Sequence, residues 1–181
     1  MARSGWATAG RVFAVFEAGD VIEVVRLLHD GGCRVWVGGG WGIDALVGEV
    51  TRPHRDLDLM HDATREPSLI KILENAGFAE RHDIVPGRPA RFVMRHPDGR
   101  ELDLHPLTFQ PDGSAVQPAN DRGDVFPYPA NAFATGTILG MSIACLSVEQ
   151  QVHFHQGYEP TDRDRHDMAQ LRRIYGIATH F

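Results

Sequence analysis

Two aspartates one position apart, Asp56 and Asp58, lie in the run DLDLM, and a third, Asp103, lies in the similar run ELDLHPL. On a strand, residues i and i+2 share a face, so Asp56 and Asp58 point one way and Leu57 and Leu59 the other. Neighbouring carboxylates repel unless a cation or a proton sits between them. Hard oxygen donors on a rigid strand suit Mg²⁺, which takes one or two carboxylates plus substrate phosphates. Asp103 alternates with Leu102 and Leu104. A strand carrying it beside the first would add a third carboxylate, as a two-metal phosphoryl-transfer site requires. Just upstream, Gly38, Gly39 and Gly40 precede Trp41. A glycine turn between a buried strand and a helix presents backbone N–H groups to an anion and lets phosphates approach closely. Each motif alone has a plain alternative, a solvated strand face for the aspartates and a tight turn for the glycines. Together they place phosphates on one side and a cation on the other.

The elements that must hold these residues are legible in outline. DVIEVVRLLHDGG predicts a helix capped by Asp20 and ended by Gly31 and Gly32. CRVWVGG reads as a buried strand running into the glycine turn, and WGIDALVGE as a helix of about two turns. SLIKILENAGF is amphipathic, with a helix start expected near Thr64. ARFVMRH and ELDLHPL flank Pro97-Asp98-Gly99-Arg100, a hairpin signal, because Pro presets φ and Gly accepts φ > 0. The Pro- and Asn-rich stretch from Phe109 to Thr137 is expected to be mostly loop, with room for short strands. TILGMSIACL reads as a strand. Two C-terminal helices follow, one with Ser147 and Gln150 in capping-box positions, the other capped by Thr161 with Asp164. The early hairpin rules out a doubly wound sheet. The pattern is α+β, a small mixed sheet with helices packed on one side, in a single domain spanning 1–181. Residues 1–18 form an N-terminal extension and 147–176 a C-terminal helical segment.

The glycine turn, the short helix and the alternating aspartates resemble the nucleotidyltransferase superfamily with the DNA polymerase β-like fold. The stretch GGGWGIDALVGEVTRPHRDLDL is similar to the small antibiotic nucleotidyltransferases, both aminoglycoside and lincosamide types. ELDLHPLTFQPDGSAVQPAN and CLSVEQQVHFHQGYEPTDRDRHDMAQL extend the likeness to the lincosamide enzymes. The resemblance implies that Gly39 and Gly40 hold nucleotide phosphates, and that Asp56 and Asp58 bind metal. Asp103 would be the third carboxylate, as metal ligand or as general base. It implies transfer of a nucleoside monophosphate, AMP from ATP, to a hydroxyl of a small antibiotic with release of pyrophosphate, supported by two Mg²⁺ ions. A lincosamide is the leading acceptor. An aminoglycoside, or a protein or RNA target of a toxin–antitoxin enzyme, stays as the alternative. A homodimer is expected by resemblance only.

Other residues are placed by their neighbourhood. Arg52 and Arg55 can reach phosphates. His54 and His105 flank the acidic cluster and suit hydrogen-bond donation better than Mg²⁺ ligation. Asp44 braces the short helix or meets the acceptor, and Trp41 packs beside the turn. Tyr128, in a loop with Asp112, Asp121 and Asp124, and His166 with Asp167 are candidates to line an acceptor pocket. His153 and His155, two apart on a helix, do not share a face, which argues against a zinc pair.

Composition bounds the function. The 181 residues are 43% apolar with a net charge of −6 and no basic stripe, so no nucleic-acid partner is expected. No apolar run is long enough to span a bilayer, and the N-terminus lacks a leader-like core, so a cytoplasmic protein without a membrane partner is expected. Cys33 and Cys145 form no C-x-x-C pair and sit in apolar contexts, as buried free thiols do.

Overall fold

The computed structural model describes residues 15–181. The expected N-terminal extension lies outside the described residues as far as residue 14. Beyond that point Phe16 is already buried, and its N–H donates to the His54 carbonyl at 3.0 Å. Helix α1 (Ala18–Asp30) buries Val21, Val24 and Leu28 at helical spacing. It begins three residues earlier than a cap at Asp20 would place it. Glu17 is the N-cap and Asp20 the third residue, whose carboxylate accepts from the Glu17 N–H at 2.9 Å. Strand β1 (Val35–Val37) is buried throughout and leads through Gly38 into helix α2 (Gly39–Val47), so the helix absorbs two of the three glycines into its first turn. Strand β2 (Asp56–Asp62) carries the aspartate pair. Helix α3 (Glu66–Asn75) follows a short 3₁₀ turn over Ala63–Arg65, entered where Asp62 accepts from the Thr64 N–H.

Strands β3 (Ala79–Arg81), β4 (Phe92–Arg95) and β5 (Glu101–Phe109) come next, with β4 and β5 forming the expected hairpin. After them run β6 (Ala115–Pro118), β7 (Val125–Tyr128), β8 (Phe133–Ile138) and β9 (Met141–Leu146), then helices α4 (Val148–Phe154) and α5 (Asp162–Tyr175). The main sheet has the order β3-β4-β5-β2-β1-β9-β8, with the β6–β7 hairpin hung from the far end of β5. Pairing is mixed: β2–β5 and β1–β9 are parallel, the other pairs antiparallel.

One face of the sheet is closed by α1, α2 and α3. Leu57, Leu59, Leu102 and Leu104, all fully buried, pack there against Val21, Leu28, Leu69 and Leu73. Helices α4 and α5 dock on α2 through Ile43, Val152, Met168 and Leu171. The opposite face carries the aspartates and a smaller cluster of Trp36, Met60, Leu107, Tyr128 and Leu146. This is the mixed sheet with helices to one side that the sequence implies. Cys33 and Cys145 are buried and unpaired.

Two expectations need correction. Most of 109–137 is ordered strand and short helical turn rather than loop. Pro127 is accommodated because β7 is an edge strand, where a missing N–H costs the ladder nothing. TILGMSIACL is two strands, not one. The chain reverses at Leu139 and Gly140, with φ of 49° and 75°, the left-handed pair of a tight hairpin turn. Leu139 hides that turn, because leucine is not a turn residue and rarely adopts positive φ.

Strand β8 seats α2 through Gly136. A Cβ there would lie 2.2 Å from the Ala45 carbonyl oxygen and 2.8 Å from the Leu46 nitrogen, backbone atoms that cannot swing aside. Gly136→Ala is expected to destabilise the protein by about 1–3 kcal/mol, read as a lower urea midpoint. An unchanged midpoint would mean that α2 does not rest on β8.

Candidate active site

The parallel register of β2 and β5 sets Asp58 directly opposite Asp103, and Asp56 opposite Glu101. Like charges facing across a ladder repel, while the leucines between them are locked into the core. His105, two residues beyond Asp103 on the same face, brings Nε2 to 3.5 Å from Asp58 Oδ1 and 3.6 Å from Asp103 Oδ1. Asp58, Asp103 and His105 offer ligand-type atoms within 4.8 Å of one another. Arg91, just before β4, holds Asp103 Oδ2. Asp103 Oδ1 is buried without a hydrogen-bond partner. A buried, unsatisfied carboxylate oxygen facing a second carboxylate is what a cation satisfies, and the oxygen donors suit Mg²⁺. The residues therefore fit the metal, with Asp56 at the exposed start of β2 as an outer carboxylate on the same face.

The electrostatics follow. Burial pushes the Asp103 carboxyl up to about 6; the charge of Asp58 adds to this, while His105 and Arg91 oppose it. Asp56 is also pushed up, first by surrounding protein and then by Asp58.

The glycine turn closes over these carboxylates. Gly39 has φ +52°, and a Cβ on it would lie 2.1 Å from Asp58 Oδ2, so both conformation and space demand glycine. The Gly38 N–H donates to the Asp58 carbonyl at 2.9 Å, tying the turn to β2. The N-terminus of α2 thus opens beside Asp58, favourable ground for an anion. A Cβ at Gly40 would lie 2.4 Å from His54 Nδ1 and 2.5 Å from the Arg52 guanidinium.

Beneath the turn is a buried brace. Asp44 accepts from the Thr51 N–H at 3.1 Å and hydroxyl at 2.7 Å, and lies 2.6 Å from His54 Nε2. Trp41 packs on His54 with ring centroids 4.5 Å apart. Asp44 is 1% exposed, so its carboxylate serves the helix and the following loop from inside the protein. Arg52 is gripped in bidentate fashion by Asp167 at 2.7 and 2.6 Å, pinning the loop after α2 to α5. Arg55 is exposed on the same loop.

Beyond the carboxylates lies a cavity of about 350 Å³. Asp58 and His105 form one end, and Met60, Phe126, Tyr128, Leu146 and Phe154 make an apolar, aromatic wall. Gly39, Gln117, Gln151 and His155 complete it. Tyr128 is thus where the sequence places a pocket residue. His166, half-buried on α5, does not line this cavity. Arg91, Gln117, Phe126, Gln151 and Phe154 carried no sequence signal. Only the hairpin pairing, which brings β4 beside Asp103, could have pointed to Arg91.

The raised Asp103 carboxyl has a testable sign. Between 3.8 and about 6 the folded chain holds a proton that the unfolded chain has released, so its contribution to stability falls as pH rises through that window. In EDTA, urea unfolding of wild type against pH is expected to show this downward contribution, and Asp103→Asn to remove it. Parallel curves for the two proteins would contradict the assignment.

Residues 20–171 match the family model described as aminoglycoside-2''-adenylyltransferase. A lincosamide resistance protein of Staphylococcus haemolyticus is 35% identical over 155 residues, covering 86% of this chain and 90% of that protein. The crystal structure of the lincosamide antibiotic adenylyltransferase LnuA, lincomycin-bound, superposes with a TM-score of 0.79 at 30% identity, covering 89% of this chain and 99% of that one. ANT(2'')-Ia in complex with adenylyl-2''-tobramycin shares the fold, with a TM-score of 0.67 at 22% identity over 86% of this chain and 87% of that one. With its facing carboxylates, its glycine turn and these likenesses, the chain belongs to the aminoglycoside-2''-adenylyltransferase family of antibiotic nucleotidyltransferases.

Proposed function

We propose that this protein transfers AMP from ATP to a hydroxyl of a lincosamide-type antibiotic. The observation that carries the acceptor class is the cavity beside the carboxylates. Its wall is five apolar or aromatic side chains, and among the described residues Asp58 is the sole carboxylate on it. Such a surface suits a partly apolar, singly charged, hydroxylated sugar derivative. A polycationic aminoglycoside calls for several carboxylates around it. The lincosamide resistance relative, matched over most of its length, agrees with that reading.

The residues divide the work. Asp58 and Asp103, with Asp56 outside them, would hold Mg²⁺, which when bound neutralises charge on the phosphoryl and leaving oxygens. Gly39 and Gly40, at the N-terminus of α2, present backbone N–H groups to the triphosphate. The apolar wall excludes water and orients the acceptor, so catalysis rests on positioning and electrostatics. Asp103 Oδ1, left without a hydrogen-bond partner, would turn either to the ion or, with the ion held by Asp56 and Asp58, to the proton of the attacking hydroxyl. The unpaired buried thiols accord with a reducing, cytoplasmic setting.

Incubation with Mg²⁺, ATP and either lincomycin or tobramycin, followed by mass spectrometry, tests this reading. An adenylylated lincomycin is expected. Asp58→Asn should lower the rate by on the order of a hundredfold or more while leaving the circular dichroism spectrum unchanged. Product from tobramycin alone would move the assignment to aminoglycosides, and product from neither would retire the antibiotic acceptor.

A further inference from the structure

Gln117 sits on β6, 6% exposed, with its amide set by three partners. Its Nε2 lies 2.9 Å from the Ala90 carbonyl oxygen and 3.1 Å from His105 Nδ1. Its Oε1 lies 2.6 Å from the Tyr128 hydroxyl. A backbone carbonyl can only accept, so the amide atom beside it is the NH₂ group. That group has two hydrogens, one for Ala90 and the other directed at His105 Nδ1. The hydroxyl of Tyr128, a residue 1% exposed, donates to Oε1 and satisfies the amide oxygen. Turning the amide over would set oxygen against oxygen at Ala90 and leave the buried carbonyl without a donor.

The consequence falls on His105. An Nδ1 that accepts carries no proton, so the ring's proton sits on Nε2. That N–H is buried without a hydrogen-bond partner and faces Asp58 and Asp103. A metal needs the lone pair of a ring nitrogen, and here that lone pair is turned away, into the bond with Gln117.

We propose that Gln117, backed by Tyr128 and the Ala90 carbonyl, is a positioning residue that keeps the His105 lone pair on Nδ1 and an N–H on Nε2, and so excludes the ring from the metal. The cation site is then built from carboxylates alone, although a histidine lies within ligand distance of both. An Asp-Asp-His set with the opposite tautomer would be a good Zn²⁺ site. With Nε2 protonated, the same three residues favour Mg²⁺ and Mn²⁺, which prefer oxygen, and offer a hydrogen-bond donor to an oxygen of whatever binds beside the ion. The inference deepens the proposed cation site and does not depend on transfer to any acceptor.

The test is made on metal-free protein. ¹⁵N-resolved histidine spectra should show, for the ring whose signals vanish in His105→Asn, a protonated Nε2 and an unprotonated Nδ1. Gln117→Glu puts a carboxylate oxygen where the NH₂ was; it faces the Ala90 carbonyl, gains only by accepting a proton from Nδ1, and so frees the Nε2 lone pair. Zn²⁺ affinity, measured by competition with a chromogenic chelator, should rise at least about tenfold, the worth of one hydrogen bond. Mn²⁺ affinity should change less. Gln117→Met, nearly the same size and without a buried charge, serves if the glutamate variant does not fold; it should give a mixture of tautomers and a smaller gain in Zn²⁺ affinity. Tyr128→Phe keeps both donor bonds of Gln117 and should leave the tautomer unchanged. A wild-type His105 protonated on Nδ1, or equal Zn²⁺ affinity in wild type and a folded Gln117 variant, would overturn the proposal. A protein with no transferase activity that still showed the Nε2–H tautomer and the gain in Zn²⁺ affinity would retain the proposal and lose only the transfer reading.

Discussion

Everything at the site depends on one repulsion, that between Asp58 and Asp103 across the parallel pairing of β2 and β5. The leucines on either side of each aspartate are completely buried, so neither strand can slide to part the charges without pulling apolar surface into water. A one-residue slip of either strand would turn that strand's carboxylate into the core. The hydrophobic face therefore holds the carboxylates in register, and the remaining neighbours answer that repulsion. Arg91 engages one oxygen of Asp103, the raised carboxyl of Asp103 holds a proton more readily, and the glycine turn brings a helix N-terminus beside Asp58.

The brace under the turn keeps that helix end in place. Asp44, Thr51, His54 and Trp41 lock α2 to the following loop, and the Arg52–Asp167 pair ties the loop to α5. Breaking a largely buried bidentate ion pair strands a charge and is costly. The C-terminal helix therefore matters to the glycine turn without contributing a ligand to the carboxylate cluster. Arg52, which by type and position suits a phosphate, is already engaged by a carboxylate, and its guanidinium fills the space where Gly40 lacks a side chain.

Legibility in the sequence tracked how local each signal was. Asp56 and Asp58 on one face, the buried leucines, the Pro97–Arg100 hairpin and the cap of α5 at Thr161 and Asp164 all rest on spacings of two to four residues, and the structure has each of them. The register that faces Asp103 with Asp58 is a long-range choice, foreseen as a possibility because both runs alternate with leucine. What stayed hidden was β-structure that breaks its own rules. Pro127 on an edge strand and Leu139 in a left-handed turn each removed the usual cue. Gln117 was unreadable for the same reason: its role comes from three partners on separate segments, and nothing in AVQP marks it.

Among the described residues the β6–β7 hairpin pairs with the main sheet only at the tip of β5, through Thr108 and Phe109. Yet it supplies Gln117, Phe126 and Tyr128 to the cavity. The ladder that fixes the carboxylates ends before this hairpin begins. A lineage could recast Phe126 and the turn of the hairpin, and present a different wall to a different molecule, so long as Gln117 stayed against His105. If the cavity receives the acceptor, as proposed, one appended ribbon is the place where such a chain can learn a new drug.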